Sequence, residues 1–119
     1  MLALNKAVKA LNECTTATEK VMVFKKGAEA LFEAFRSSGL CGHMDLRLFV
    51  AGGIGETLGG VELTWPEAEG DDPNVITWLV DDEGIAVVEG GVECLYYDPS
   101  GGLFFLLGVL VHQAFGPPN

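Results

Sequence analysis

Leu4, Ala7, Val8 and Leu11 recur at i, i+3, i+4 and i+7, the spacing that gathers apolar side chains on one side of a helix. Asn5, Lys6, Lys9 and Asn12 fall on the opposite side. The pattern pauses at Thr15 and Thr16. Thr16-Ala17-Thr18-Glu19 then forms a capping box, in which the threonine oxygen accepts from the Glu19 amide. From there the spacing predicts a second helix to about Ser37, with Val21, Phe24, Ala28, Leu31 and Phe35 inward and Lys25, Glu29, Glu33 and Arg36 in water. Gly39 supplies the left-handed residue that ends it.

After Cys41 the apolar positions fall instead into short β-type runs: 46–51, 61–65, 75–80, 85–89, 92–97 and 103–111. The segments between them (GG, EAEGDDPN, DDEG, GG, DPSGG) are built from turn-forming residues and are too short for crossover helices, so the strands should meander antiparallel. The last run is two-sided. Leu103, Leu106, Leu107, Leu110, Val111 and Ala114 also fit a helical stripe, whereas Gly101, Gly102 and Gly108 favour a strand at least as far as Gly108. The expectation is one α+β domain over 1–119. An N-terminal helical hairpin (1–39) packs on an antiparallel meander sheet of five to six strands (44–115).

The segment AGGIGETLGG, 51–60, holds five glycines directly after an apolar run. A dinucleotide fingerprint needs a third glycine where Leu58 stands, and a Walker-type cradle needs a lysine, yet none occurs beyond Lys26. Glu56 would also repel a phosphate. The segment reads as a hairpin loop with a glycine bulge.

Charge distinguishes this chain more than composition does. The chain carries −10, and the distribution is uneven. Residues 1–47 hold seven basic and five acidic residues, a net of +2, whereas residues 48–119 hold twelve acidic residues and no Lys or Arg, a net of −12. Such a field repels nucleic acid and anionic membrane and attracts basic partners or cations. The hydrophobic share of 49% and mean hydropathy of +0.30 leave apolar surface for an interface as well as a core.

Candidate chemistry is sparse. Cys41, His43 and Asp45 fall within five residues, and Cys94 or His112 could complete a zinc site from elsewhere. The same Cys41 and His43 could form a nucleophile couple, but neither a paired CxxC nor a local signature supports this. Cys14, Cys41 and Cys94 read as scattered reduced thiols of a cytoplasmic protein, and changing all three to Ala should leave function intact. Glu67, Glu69, Asp71 and Asp72, with Asp81, Asp82 and Glu83, lack the EF-hand spacing, and the two segments flank one strand and so belong at opposite ends of the sheet.

These readings converge on a non-enzymatic acidic interaction domain, immunity-like or chaperone-like, that binds a basic protein through those seven acids. It should use no cofactor, no nucleic acid and no membrane, and neutralising the loop acids should slow association. In bulk properties alone (small, acidic, apolar enough to pair) the chain resembles bacterial type III secretion chaperones; those interleave a helix among their strands, and no residue role carries over. The alternative is a small-molecule binder with an apolar pocket between helices and sheet, lined by Phe24, Phe35, Trp65 and Trp78; a weaker one is a metal-dependent enzyme at Cys41 and His43. A symmetric dimer is also expected, because the run 103–111 exceeds what a one-sided sheet hides; Leu107 or Val109 would carry the contact.

Overall fold

The structure, a computed structural model, describes residues 2–49, 59–66, 73–81, 84–89 and 92–115. Its elements run in the order α1 (Leu2–Glu13), α2 (Ala17–Ser37), β1 (Asp45–Phe49), β2 (Gly59–Trp65), β3 (Asn74–Val80), β4 (Ile85–Glu89), β5 (Val92–Tyr97) and α3 (Pro99–Phe115). The fold is α+β, as the hydrophobic pattern predicts.

Local chemistry sets the bounds of α2. Thr16 is extended (φ −122°, ψ 155°), and its hydroxyl accepts the Glu19 amide at 3.2 Å. The Glu19 carboxylate accepts from the Thr15 hydroxyl at 3.5 Å. At the other end Gly39 takes φ +80°, and two bonds close the turn, Gly39 N–H to Arg36 O and Leu40 N–H to Phe35 O, each 2.9 Å. This is the Schellman arrangement, which satisfies carbonyls the helix cannot reach. Leu4, Ala7 and Leu11 of α1, and Val21, Phe24, Ala28, Leu31 and Phe35 of α2, are buried as their spacing requires.

The sheet runs β1-β2-β3-β4-β5 in spatial order, every neighbouring pair antiparallel. The glycine-rich segment therefore connects the adjacent strands β1 and β2, and no helix lies directly beyond it. Residues 50–58 themselves lie outside the described residues. On one face Leu48, Val61, Trp78, Val87 and Leu95 stand side by side, and Val80 pairs with Ile85 in the next row. Helix α2 covers β1 and β2, α3 covers β4 and β5, and α1 packs against both helices. Trp78, Phe24, Leu31, Leu63, Leu103 and Leu106 are fully enclosed in the core between these layers. The opposite face bears the Arg47–Glu62 ion pair (3.2 Å), both partners solvent-accessible and worth little to stability.

The expectation fails at the sixth run. Residues 99–115 form a helix, so among the described residues the sheet stops at five strands. Asp98 caps it: its carboxylate accepts from Gly101 N–H at 2.9 Å and its carbonyl from Gly102 N–H at 3.0 Å. Pro99 then occupies the first turn, where a missing N–H costs nothing. A Cβ on Gly102 would meet Ile85 Cδ1 at 2.7 Å. The glycine that favours a strand on sequence grounds serves instead to lay the start of α3 close against β4. Trp78 locks that approach by donating its indole N–H to Gly102 O at 3.0 Å, with Phe105 edge-on to its ring at 6.0 Å. Among the described residues no helix is long and apolar enough to cross a membrane.

Candidate functional site

Helix α3 contains no Asp, Glu, Lys or Arg. Its inward face buries Gly102, Leu103, Leu106 and Leu110. Its outward face is largely apolar too: Phe104 is 51% exposed, Val111 42% and Phe115 71%, with Gly108 exposed between them and the exposed His112 at the edge. At about 100° per residue these four positions fall within roughly 60° of one another, a single straight stripe. A surface helix ordinarily turns charge toward water, as α2 does with Glu29, Glu33 and Arg36, all exposed. A helix apolar all round is either buried or a contact.

Gly108 adds a second irregularity. In mid-helix, glycine costs about 1 kcal/mol relative to alanine. A Cβ at Gly108 would find nothing within 4 Å, so no packing among the described residues requires the small residue. Gly102, six positions earlier, is the opposite case.

Two open apolar grooves border the stripe. One, about 500 Å³, runs between α3 and the sheet, with Trp65, Ile76, Phe105 and Val109 as walls and Glu89 and His112 at its polar margin. The other, about 410 Å³, runs between α3 and the end of α2 and is lined by Phe35, Leu40, Leu107, Val111 and Phe115. A third, about 320 Å³, lies between α1 and α2 and carries Lys6 and Lys26.

The candidate pocket residues do not surround one cavity. Phe24 and Trp78 are core side chains with no exposure, Phe35 belongs to the α2–α3 groove, and Trp65 to the α3–sheet groove. Leu107 and Val109, expected to carry a dimer contact from a strand, are half-buried flanks of α3, one in each groove.

Cys41 and His43 part company. The Cys41 thiol is buried and donates to Leu110 O at 3.5 Å, and burial pushes its pKa up, the wrong direction for a nucleophile. His43 is exposed, its Nε2 3.4 Å from Gln113 Oε1. Cys14 donates to Ala10 O at 3.1 Å, and its pKa is raised too, chiefly by burial and then by the Glu19 charge. Among the described residues no three His, Cys, Asp or Glu side chains come together.

Of the seven acids, Glu67, Glu69, Asp71, Asp72, Asp82 and Glu83 lie outside the described residues. Asp81 is a turn residue: its carboxylate accepts from Gly84 N–H at 2.8 Å and from the Tyr96 hydroxyl at 2.7 Å, so it holds the β3–β4 connection and the neighbouring β5 together. Pro73 and Asp81 stand at the two ends of β3.

The outward face of α3 escapes sequence reasoning because its strand-like glycines mask a helical stripe. The signal that could have found it is Asp98-Pro99, a cap with proline at the first helical position. No family model matches this chain, and no curated protein or solved structure matches it either.

Proposed function

We propose that this chain is a non-enzymatic protein-interaction module whose contact surface is the outward face of α3. One observation carries the reading: a charge-free helix leaves Phe104, Val111 and Phe115 in water on a chain that is otherwise strongly acidic. Large aromatic residues held on a rigid helix are what interfaces use as anchors. The sheet half adds the second property of the module. With −12 and no Lys or Arg, residues 48–119 attract a basic protein and repel nucleic acid, an immunity-like or chaperone-like role.

The test is a photo-crosslinking amino acid at Phe115, with Met22 as control, since Met22 is 54% exposed but stands on α2. Irradiation in cells that make the protein should join position 115 to a protein and leave position 22 unjoined. Adducts that are absent at 115, or equal at both positions, reject the α3 surface. A second reading, a small apolar ligand in the groove of Trp65, Ile76 and Val109, is favoured by its volume of about 500 Å³, inside the usual range for ligand sites. In that case the crosslinker yields no protein adduct.

A further inference from the structure

The exposed apolar positions of α3, counting Gly108, are 104, 108, 111 and 115, with spacings of four, three and four, and the exposed His112 stands at the edge of this stripe. That pattern reads the same in both directions. Turning a second α3 end for end and laying it on the first sets Phe104 against Phe115 of the other copy and Gly108 against Val111, each pair occurring twice. The residue kinds suit that pairing. Val111 projects where Gly108 of the facing helix has no side chain, and a phenylalanine pair closes each end. From this self-complementarity we infer that the occupant of the α3 face is a second copy of this chain, joined antiparallel about a two-fold axis near residues 109 and 110. The inference rests on the reading of α3 as a contact face and names the partner.

Three further points agree. Among the described residues a Cβ at Gly108 meets nothing, whereas close approach of a second backbone gives the small residue a role. Two copies, each carrying −10, would meet where neither bears any Asp or Glu, since α3 has none. The area is also adequate for the centre of an interface. At 51% and 71% exposure, the two phenylalanines leave roughly 250 Å² of ring per copy in water, given about 200 Å² for a whole aromatic side chain. Stable dimers bury about 800 Å² per copy, so these rings supply the centre of such a contact and not the whole of it.

The partner's chemistry also fixes a salt response. Net repulsion between two acidic copies is screened by salt, so self-association should strengthen from low to high salt. Binding of a basic protein would weaken over the same range. An interfacial membrane helix is the competing occupant, but such helices carry Lys and Arg on their polar side and α3 carries none.

The experiment uses the full chain. Sedimentation equilibrium at micromolar concentration should give the mass of two chains, with Val111→Asp and Phe115→Asp reduced to one and Met22→Asp unchanged. The register is read by disulfide trapping. Phe104→Cys protein mixed with Phe115→Cys protein should cross-link under mild oxidation, whereas Phe104→Cys alone should not. In the antiparallel pair two copies of position 104 lie about 16 Å apart along the axis, too far for a disulfide.

A one-chain mass at every concentration and salt overturns the inference, as does cross-linking by Phe104→Cys alone equal to that of the mixture. Flotation of a one-chain species with phosphatidylcholine vesicles overturns it in favour of a membrane. A one-chain mass combined with an adduct to a different protein at position 115 removes the second copy but keeps α3 as an interaction surface; absence of any adduct removes both.

Discussion

Helices α2 and α3 lay comparable side chains into the core, Phe24, Leu31 and Phe35 from one and Leu103, Leu106 and Leu110 from the other, all buried. They differ on the side turned away. Between Lys25 and Arg36, α2 carries five charged residues, and α3 carries no Asp, Glu, Lys or Arg along its whole length. An ordinary amphipathic helix declares its fold role and nothing else. A helix whose wet face is mostly apolar and free of Asp, Glu, Lys and Arg has a second constraint upon it, and for α3 that constraint lies outside the core.

If the inward faces are equivalent, truncating them should hurt alike, and this is the largest effect expected. Phe24→Ala and Leu106→Ala should each cost about 3–5 kcal/mol of unfolding free energy, because both side chains are fully enclosed and the cavities they leave cannot collapse. Urea unfolding monitored by circular dichroism measures both. A cost below about 1 kcal/mol for Leu106→Ala would mean that α3 is not a core helix.

The difference in legibility between the two helices has a physical source. Helix α2 shows through in the sequence because every local rule agrees: a threonine cap, an apolar stripe of helical period, charge opposite it and a glycine beyond its end. In α3 the polar side that reveals a period is absent, so Leu103 to Val111 satisfies a strand and a helix equally, and composition cannot arbitrate. Gly101 and Gly102 tip the balance toward the wrong element. Their smallness answers to Ile85, Tyr97 and Asp98, contacts that exist only once the chain is folded. The five strands are legible because turn residues punctuate them. Of the site, the charge split and the surplus of apolar surface are visible in the sequence alone. That Trp65 and Phe35 serve different grooves, and that Phe104, Val111 and Phe115 share a stripe, depends on α3 being helical.

The two glycines of α3 sharpen the contrast at a smaller scale, because they should respond with opposite signs. Gly102→Ala places a methyl group 2.7 Å from Ile85 Cδ1 and should destabilise by about 1–3 kcal/mol as the helix is pushed off β4. Gly108→Ala meets nothing and should stabilise the isolated chain by roughly 0.5–1 kcal/mol through helix propensity alone. Thermal unfolding at a dilution where the chain is a monomer separates them. Two changes of the same sign would show that position, rather than close approach, decides what glycine does in this helix. At higher concentration Gly108→Ala should also weaken self-association, so one substitution stabilises the fold and loosens the contact.

The smallest effect concerns the residue that ties the two helices together. Cys41 sits just past the turn that ends α2, holds a positive φ of 57°, and hands its thiol hydrogen to Leu110 O on α3 at 3.5 Å. Because burial raises its pKa above the ordinary 9.0, the folded chain holds this proton more tightly than the unfolded chain does. Linkage gives the sign. Where the folded pKa is the higher one, the stability it represents is complete below the unfolded pKa and is lost as pH rises from there through the folded value. Wild-type protein should therefore lose stability above pH 9.0 more steeply than Cys41→Ala, and the two should run parallel below it. Lysines and tyrosines titrate in the same range, so only the difference between the two curves is informative, read from urea midpoints across neutral and alkaline pH. The thiol should also react slowly with a disulfide reagent until the chain unfolds, since the thiolate that attacks is the form burial disfavours. Identical alkaline slopes combined with rapid labelling of folded protein would place Cys41 in water and cut the link between α2 and α3.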